Sequence, residues 1–195
     1  MTYLSLSILL FVLGLCLEVF GASYGVEIDG VVAVVGEQVL TRTELHEEMR
    51  VLLILRGGER AGAGHFSIEL ERTFLDYVLY QLIVSVHSLR AGFQEPPNFE
   101  LDQMKQRFLD KFFSLESYHS FKRRFGLSES RIRNLLRREL KNELFLRDRL
   151  NARVRNGALP GKPKTEDELP LLKEILNEMR RTVSVTVMSR WSKPP

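Results

Sequence analysis

Apolar residues recur along this chain at two periods, and the switch between them divides it into elements. Glu27-Ile28-Asp29-Gly30 leads into the β-branched run Val31-Val32-Ala33-Val34-Val35, closed by Gly36 and followed by Val39-Leu40. This pattern predicts two short strands around a turn at Gly36-Glu37. Thr41 and Thr43 can each cap a helix: Thr41 has Glu44 three residues on, and Thr43 precedes a run with Leu45, Met49, Leu52 and Leu53 on one side. The glycines between Gly57 and Gly64 stop that helix, so Gly57 to His65 reads as a mobile loop. Ser67 then opens the helix with the largest apolar face, carrying Leu75, Val78, Leu79, Leu82, Ile83, Val86 and Leu89 at spacings of three and four. It runs to about Gly92, where Pro96-Pro97 forces extended chain.

The next helix is predicted from Phe99 to Phe113 and a shorter one from Leu115 to Phe125, ended by Gly126. Ser128 is the natural cap for a long helix with Ile132, Leu135, Leu136, Leu140, Leu144, Leu146, Leu150 and Val154 on its apolar side. Residues 156–164 read as a linker, and Thr165, Glu166 and Asp167 open a final helix. The stretch Thr182 to Met188 alternates as a half-buried strand should. The order is strand, strand, five helices, linker, helix, strand. A lone hairpin and a lone strand are each marginal in water, so the expected fold is mainly α: a helical body with a small β-sheet formed by the N-terminal hairpin and the C-terminal strand.

In front of these elements, Tyr3 to Leu17 carries no charge. Crossing a bilayer takes about 20 apolar residues, so this run suits the hydrophobic stretch of a secretory signal better than a membrane span. Met-Thr-Tyr lacks the Lys or Arg usual before such a run; an uncleaved anchor and a buried N-terminal helix are the other readings. A lipoprotein signal would use Cys16, but bulky Leu15 stands where a small residue is wanted. Small residues allow cleavage after Gly21 or Ser23, which makes residues 1–23 a signal peptide and residues 24–195 one domain. No stable membrane insertion is expected once the signal is cut. Cleavage also removes Cys16, the single cysteine, and with it disulfides, Cys-ligated zinc and a Cys nucleophile.

The net charge of +3 over 195 residues hides a polarised chain. Residues 22–121 carry a net of −6, residues 122–155 a net of +8. Taken alone the basic stretch suggests nucleic acid. Its Arg residues, however, fill nearly every polar position around the helix, and four acids interrupt them; a solvated face fits better, then an acidic partner or membrane surface, and no nucleic-acid partner is expected.

Catalytic signatures are lacking. His46, His65, His87 and His119 have no partner at ligand spacing, and His46-Glu47-Glu48 without a second His reads as a solvated helix start. The glycines of residues 57–64 neither follow a strand nor precede Lys-Ser or Lys-Thr, so no phosphate loop is present. No Gly-x-Ser-x-Gly elbow occurs. Neighbouring carboxylates such as Glu47-Glu48 suit helix N-terminal turns. The expectation is a protein that is not an enzyme and needs no cofactor or metal. What stands out instead is an aromatic cluster, Phe108, Phe112, Phe113, Tyr118, Phe121 and Phe125. Helical spacing favours core, yet adjacent Phe112 and Phe113 cannot face the same way on a helix.

The ordered succession of these pieces resembles the chaperone part of the SurA-type periplasmic chaperones. Residues 28–45, with the strand Val32-Ala33-Val34-Val35, a turn, Val39, a polar pair and a helix, resemble that family's opening. Residues 75–92 resemble its Leu-rich helix ending in Ala and Gly; Phe99 to Gln103, Gly126-Leu127-Ser128 and the Arg-rich helix follow in the family's order, and Arg180-Arg181 with Val183 to Val187 resemble its closing helix and strand. The likeness covers residues 27–156 and 165–190. Where the family commonly carries parvulin-type prolyl isomerase modules, this chain has only the linker, which cannot contain such a domain. The resemblance therefore implies an exported chaperone module that binds unfolded or partly folded polypeptides, among them outer-membrane proteins, without isomerase activity. Phe108, Phe112, Phe113 and Phe121 are the candidate client contacts. The alternative is an envelope adaptor that docks one fixed protein partner, and a third reading, intracellular nucleic-acid binding, requires that the signal be misread. Mass measurement of the N-terminus of the exported protein should find it just after Gly21 or Ser23; an intact Met1 would overturn the signal reading.

Overall fold

The computed structural model describes residues 29–155 and 165–191. The signal segment and the linker 156–164 lie outside the described residues. The described residues open with β1 (Val31–Val35) and β2 (Gln38–Thr41), continue through α1 (Arg42–Gly57), α2 (Glu59–Ala63), α3 (Ile68–Arg90), α4 (Asn98–Leu109), α5 (Leu115–Phe125) and α6 (Glu129–Arg153), and end with α7 (Thr165–Arg181) and β3 (Val185–Val187). The expected class holds: a helical body with a three-stranded antiparallel sheet in the order β2-β1-β3. Val34 faces Val39 on one side and Thr186 on the other, so the two ends of the chain share the central strand. The register slips between Val31 and Ala33, and that bulge lets the adjacent Val32 and Ala33 both be buried. The final strand is shorter than its alternating pattern suggests. Beyond it, Trp191 turns back into the core, with its N–H donating to the Met188 carbonyl at 2.8 Å.

Local chemistry accounts for most boundaries. Thr41 and Glu44 form a reciprocal capping box at the start of α1, and Ser67, Ser114 and Ser128 cap α3, α5 and α6 through their hydroxyls. Gly126 ends α5 in the left-handed region, φ 65°, where a side chain would be strained. Two expectations fail. The glycine-rich stretch after Gly57 is not a loop throughout: Glu59–Ala63 forms the short helix α2, packed so closely on α1 that a Cβ on Gly62 would stand 2.5 Å from Ile54. Glycine here serves close approach rather than mobility. The helix predicted to reach Phe113 ends at Leu109, and residues 110–114 turn.

Two apolar cores result. The first joins the sheet, Leu45 and Met49 of α1, most of the apolar face of α3, Phe145 of α6, and Leu171, Ile175 and Met179 of α7. The second joins Val51 and Ile54 of α1 to Leu101, Met104 and Phe108 of α4, Tyr118 and Phe121 of α5, and Ile132 to Leu140 of α6. Each fully buried side chain of this size contributes about 1.5–3 kcal/mol. Helices α1 and α6 run through both cores, so their mutual placement fixes one core relative to the other.

Between the cores lies a polar layer. Glu48 of α1 is buried, and Arg138 of α6 forms an ion pair with its carboxylate at 2.5 Å. Burial raises the Glu48 pKa against the pull of Arg138. Asn142, also buried, donates to both the side-chain and main-chain oxygens of Gln81 on α3 and accepts from Ser85. His46 and Glu47 are not solvated as their position suggests: His46 Nε2 lies 2.7 Å from the buried Glu71, which Arg42 also contacts at 3.2 Å, and Arg131 Nε donates to Glu47 at 2.6 Å. Breaking the central pair should expose the cost of an unpaired buried charge. Arg138→Met should lower stability in urea unfolding by about 3 kcal/mol, and adding Glu48→Leu should recover most of it, since a well-packed apolar pair can replace a buried ion pair. A double variant as unstable as the single would show that the layer's charges themselves are required.

Candidate functional site

The aromatic cluster divides at the turn after α4. Phe108, Phe112 and Phe121 are inside the second core, with ring centroids 5.4 Å apart between Phe108 and Phe112 and again between Phe112 and Phe121, and Tyr118 edge-on to both Phe108 and Phe112. Phe113 is 76 % exposed. Because residues 110–114 leave the helix, the two adjacent phenylalanines point to opposite sides, one inward and one to solvent. Of the four aromatic candidates, the structure leaves Phe113 alone at the surface, next to exposed Leu115.

Helix α2 holds this turn. The Glu59 carboxylate accepts from the Phe113 N–H at 3.0 Å and the Ser117 hydroxyl at 3.1 Å, while the Glu59 N–H donates to the Lys111 carbonyl at 3.1 Å. The Arg60 guanidinium stands over the Phe113 ring, 5.5 Å from its centroid. The sequence signal for this clamp was present in the glycines that let α2 dock, but nothing in the pattern tied Glu59 to a turn 54 residues later.

A groove of about 480 Å³ opens beside the turn. Leu55 and Met104 supply its apolar lining, with Arg56 from α1, Arg107, Asp110 and Lys111 from α4 and the turn, and Glu139 and Glu143 from α6 around them. Its α6 wall is tied into the polar layer. The Tyr77 hydroxyl accepts from Arg56 at 2.7 Å and Gln81 at 2.8 Å and donates to Glu139 at 2.8 Å, so all three of its hydrogen-bonding positions are used. Burial raises the pKa of Tyr77, and the Glu139 carboxylate raises it further; burial likewise raises Glu139 against the pull of Tyr77 and Arg56. The groove wall is thus a preorganised polar surface beside an apolar lining of Leu55 and Met104.

A second cavity, about 370 Å³, lies where α3, α6 and α7 end, lined by His87, Arg149, Ala152, Arg153, Ile175, Glu178, Met179 and Thr182. Its polar groups close helix ends: His87 Nε2 is 3.1 Å from the Met179 carbonyl and 2.9 Å from the Thr182 hydroxyl, Arg153 pairs with Glu178, and Arg90 reaches the Thr182 carbonyl at 3.4 Å. This site is a fastening of the C-terminal helix. Among the described residues there is no cluster of three or more His, Cys, Asp or Glu side chains that could hold a metal, and no helix long and apolar enough to cross a membrane.

The basic stretch finds most of its acids within the chain. Arg131 pairs with Glu44 and Glu47, Arg133 with Asp102, Arg138 with Glu48, Lys141 with Glu95, Arg123 with Glu116, Lys122 with Glu129, Arg147 with Glu143 and Arg153 with Glu178. The polarity along the sequence is partly balanced in the fold by these pairs, several of which lie at the solvent-exposed surface.

Glu129 at the start of α6 gathers the second core's helices: Lys105 of α4 at 2.6 Å, Lys122 of α5 at 2.9 Å and the Tyr118 hydroxyl at 2.6 Å. Burial opposes its ionisation, but these three donors outweigh burial and bring its pKa from 4.5 down to about 2. A depressed carboxyl stabilises the fold fully above its unfolded pKa and loses that contribution as pH falls from about 4.5 towards 2. Urea midpoints of the unaltered protein and Glu129→Gln should therefore converge across this acid window and differ most above it; a constant difference at all pH values would refute the assignment.

No family model and no curated protein matches this chain.

Proposed function

We propose that this protein is an exported, SurA-like chaperone module that holds unfolded or partly folded polypeptides, outer-membrane proteins among them, and that it has no prolyl isomerase activity. The observation that carries the reading is the groove with its Leu55 and Met104 lining beside the exposed Phe113-Leu115 turn. An apolar lining between polar walls suits an extended segment whose backbone keeps access to hydrogen-bonding partners, and the client's entropy loss keeps affinity per site modest. The order of sequence elements and the apolar run at residues 3–17 support the same reading. Client contact is assigned to Phe113, because Phe108, Phe112 and Phe121 are spent on the core beneath it.

The purified protein should suppress aggregation of a urea-unfolded outer-membrane protein on dilution, measured by light scattering. Phe113→Ser with Leu115→Ser should weaken suppression severalfold with an unchanged melting temperature, since both side chains are exposed. A proline-peptide isomerisation assay should remain at the uncatalysed rate. Absence of suppression, or saturable isomerase catalysis, would overturn the proposal. Recovery from envelope extract of one stoichiometric partner in place of many substoichiometric clients would instead favour the adaptor reading.

A further inference from the structure

The groove is lopsided in the charges it leaves available. On its α6 wall both acids are engaged: Glu139 accepts from Tyr77 and faces Arg56 at 3.7 Å, and Glu143 pairs with Arg147 at 2.6 Å. On its α4 wall Arg107 and Lys111, both exposed, have no carboxylate within ion-pairing distance among the described residues. Asp110 stands beside them, but its carboxylate is held by neutral Gln106 at 2.8 Å, so this wall keeps an excess of one positive charge. Arg60, a third cation without a carboxylate partner among the described residues, lies over the Phe113 ring of the same turn.

We propose that the groove selects segments in which apolar side chains are accompanied by Asp or Glu, and that Arg107 and Lys111 set this preference. The inference rests on the polypeptide-binding reading and refines it. Apolar side chains would occupy the Leu55 and Met104 lining, while a neighbouring carboxylate meets the α4 wall. A basic residue in the same place would face a wall with one positive charge in excess, with the acids opposite already engaged. Like-charge juxtaposition excludes wrong partners more effectively than a surface ion pair strengthens right ones, so the discrimination works chiefly against Lys-bearing segments.

The test is fluorescence anisotropy with three labelled ten-residue peptides of identical apolar residues, bearing two Glu, two Gln or two Lys. The purified protein should bind the Glu peptide about fivefold more tightly than the Lys peptide at low salt, with the Gln peptide between them, and the gap should narrow in 0.5 M salt. Arg107→Glu with Lys111→Glu should reverse the order, and Arg107→Gln with Lys111→Gln should bring the three together. Three peptides binding alike, or an order that survives charge reversal, would overturn the selectivity and leave the polypeptide-binding reading standing. Failure of all three to bind would overturn both.

Discussion

The seating of α6 against α1 is the contact on which the other placements depend. These two helices alone run through both apolar cores, so a rotation of one against the other would misplace the sheet and α7 at one end and α4 and α5 at the other. Apolar packing by itself does not fix such a rotation closely, because neighbouring ridges of Leu and Val offer similar alternatives. A buried carboxylate meeting one arginine does. Glu48 with Arg138, flanked by Glu47 with Arg131 and by the Asn142 amide on Gln81, gives a single register in which every charge has a partner. Burial holds the Glu48 pKa up, the mark of a group whose desolvation is only partly offset. The pair therefore adds little net stability and acts by penalising other arrangements.

The same principle explains why the chain can be so unevenly charged without showing it in the fold. Glu44, Glu47 and Glu48 of α1, and Glu95 and Asp102 around α4, are paired with basic residues of α6. Glu129 and Glu139 illustrate two outcomes for a carboxylate on the same helix. Glu129, reached by two lysines and a tyrosine, is held ionised down to about pH 2, whereas Glu139, deeper and with fewer donors, is pushed up by burial. The first braces the turn that displays Phe113; the second forms a wall of the groove.

Much of the fold was legible in the sequence because periodicity and capping are local. The hairpin turn, the caps at Thr41, Ser67 and Ser128, the apolar face of α3 and the pairing of the chain's two ends follow from spacing and from the instability of a lone strand. The misreadings share one cause: a tertiary contact overrides a local signal. The glycines after Gly57 read as a loop, yet Gly62 is small so that α2 can lie on α1. His46, Glu47 and Glu48 read as a solvated helix start, yet their partners are 25, 84 and 90 residues away on α3 and α6. The groove was not legible at all, since Leu55, Met104 and Glu143 come from three helices and none stands out in its own segment.

The aromatic cluster shows what a composition signal can and cannot carry. A run of phenylalanines marks a place where apolar area is concentrated, but an interior and a binding surface ask for the same residues. What separates them here is one backbone decision, the end of α4 at Leu109. Had the helix continued, Phe112 and Phe113 would have projected about 100° apart on the same rod. The turn instead drives Phe112 among Phe108, Tyr118 and Phe121 and leaves Phe113 outside, its backbone fastened by Glu59 and the Arg60 guanidinium near one face of its ring. An exposed phenylalanine on a slack loop would lose rotational freedom on meeting a partner. One whose backbone is already clamped from two sides loses less, and more of the apolar contact then appears as affinity.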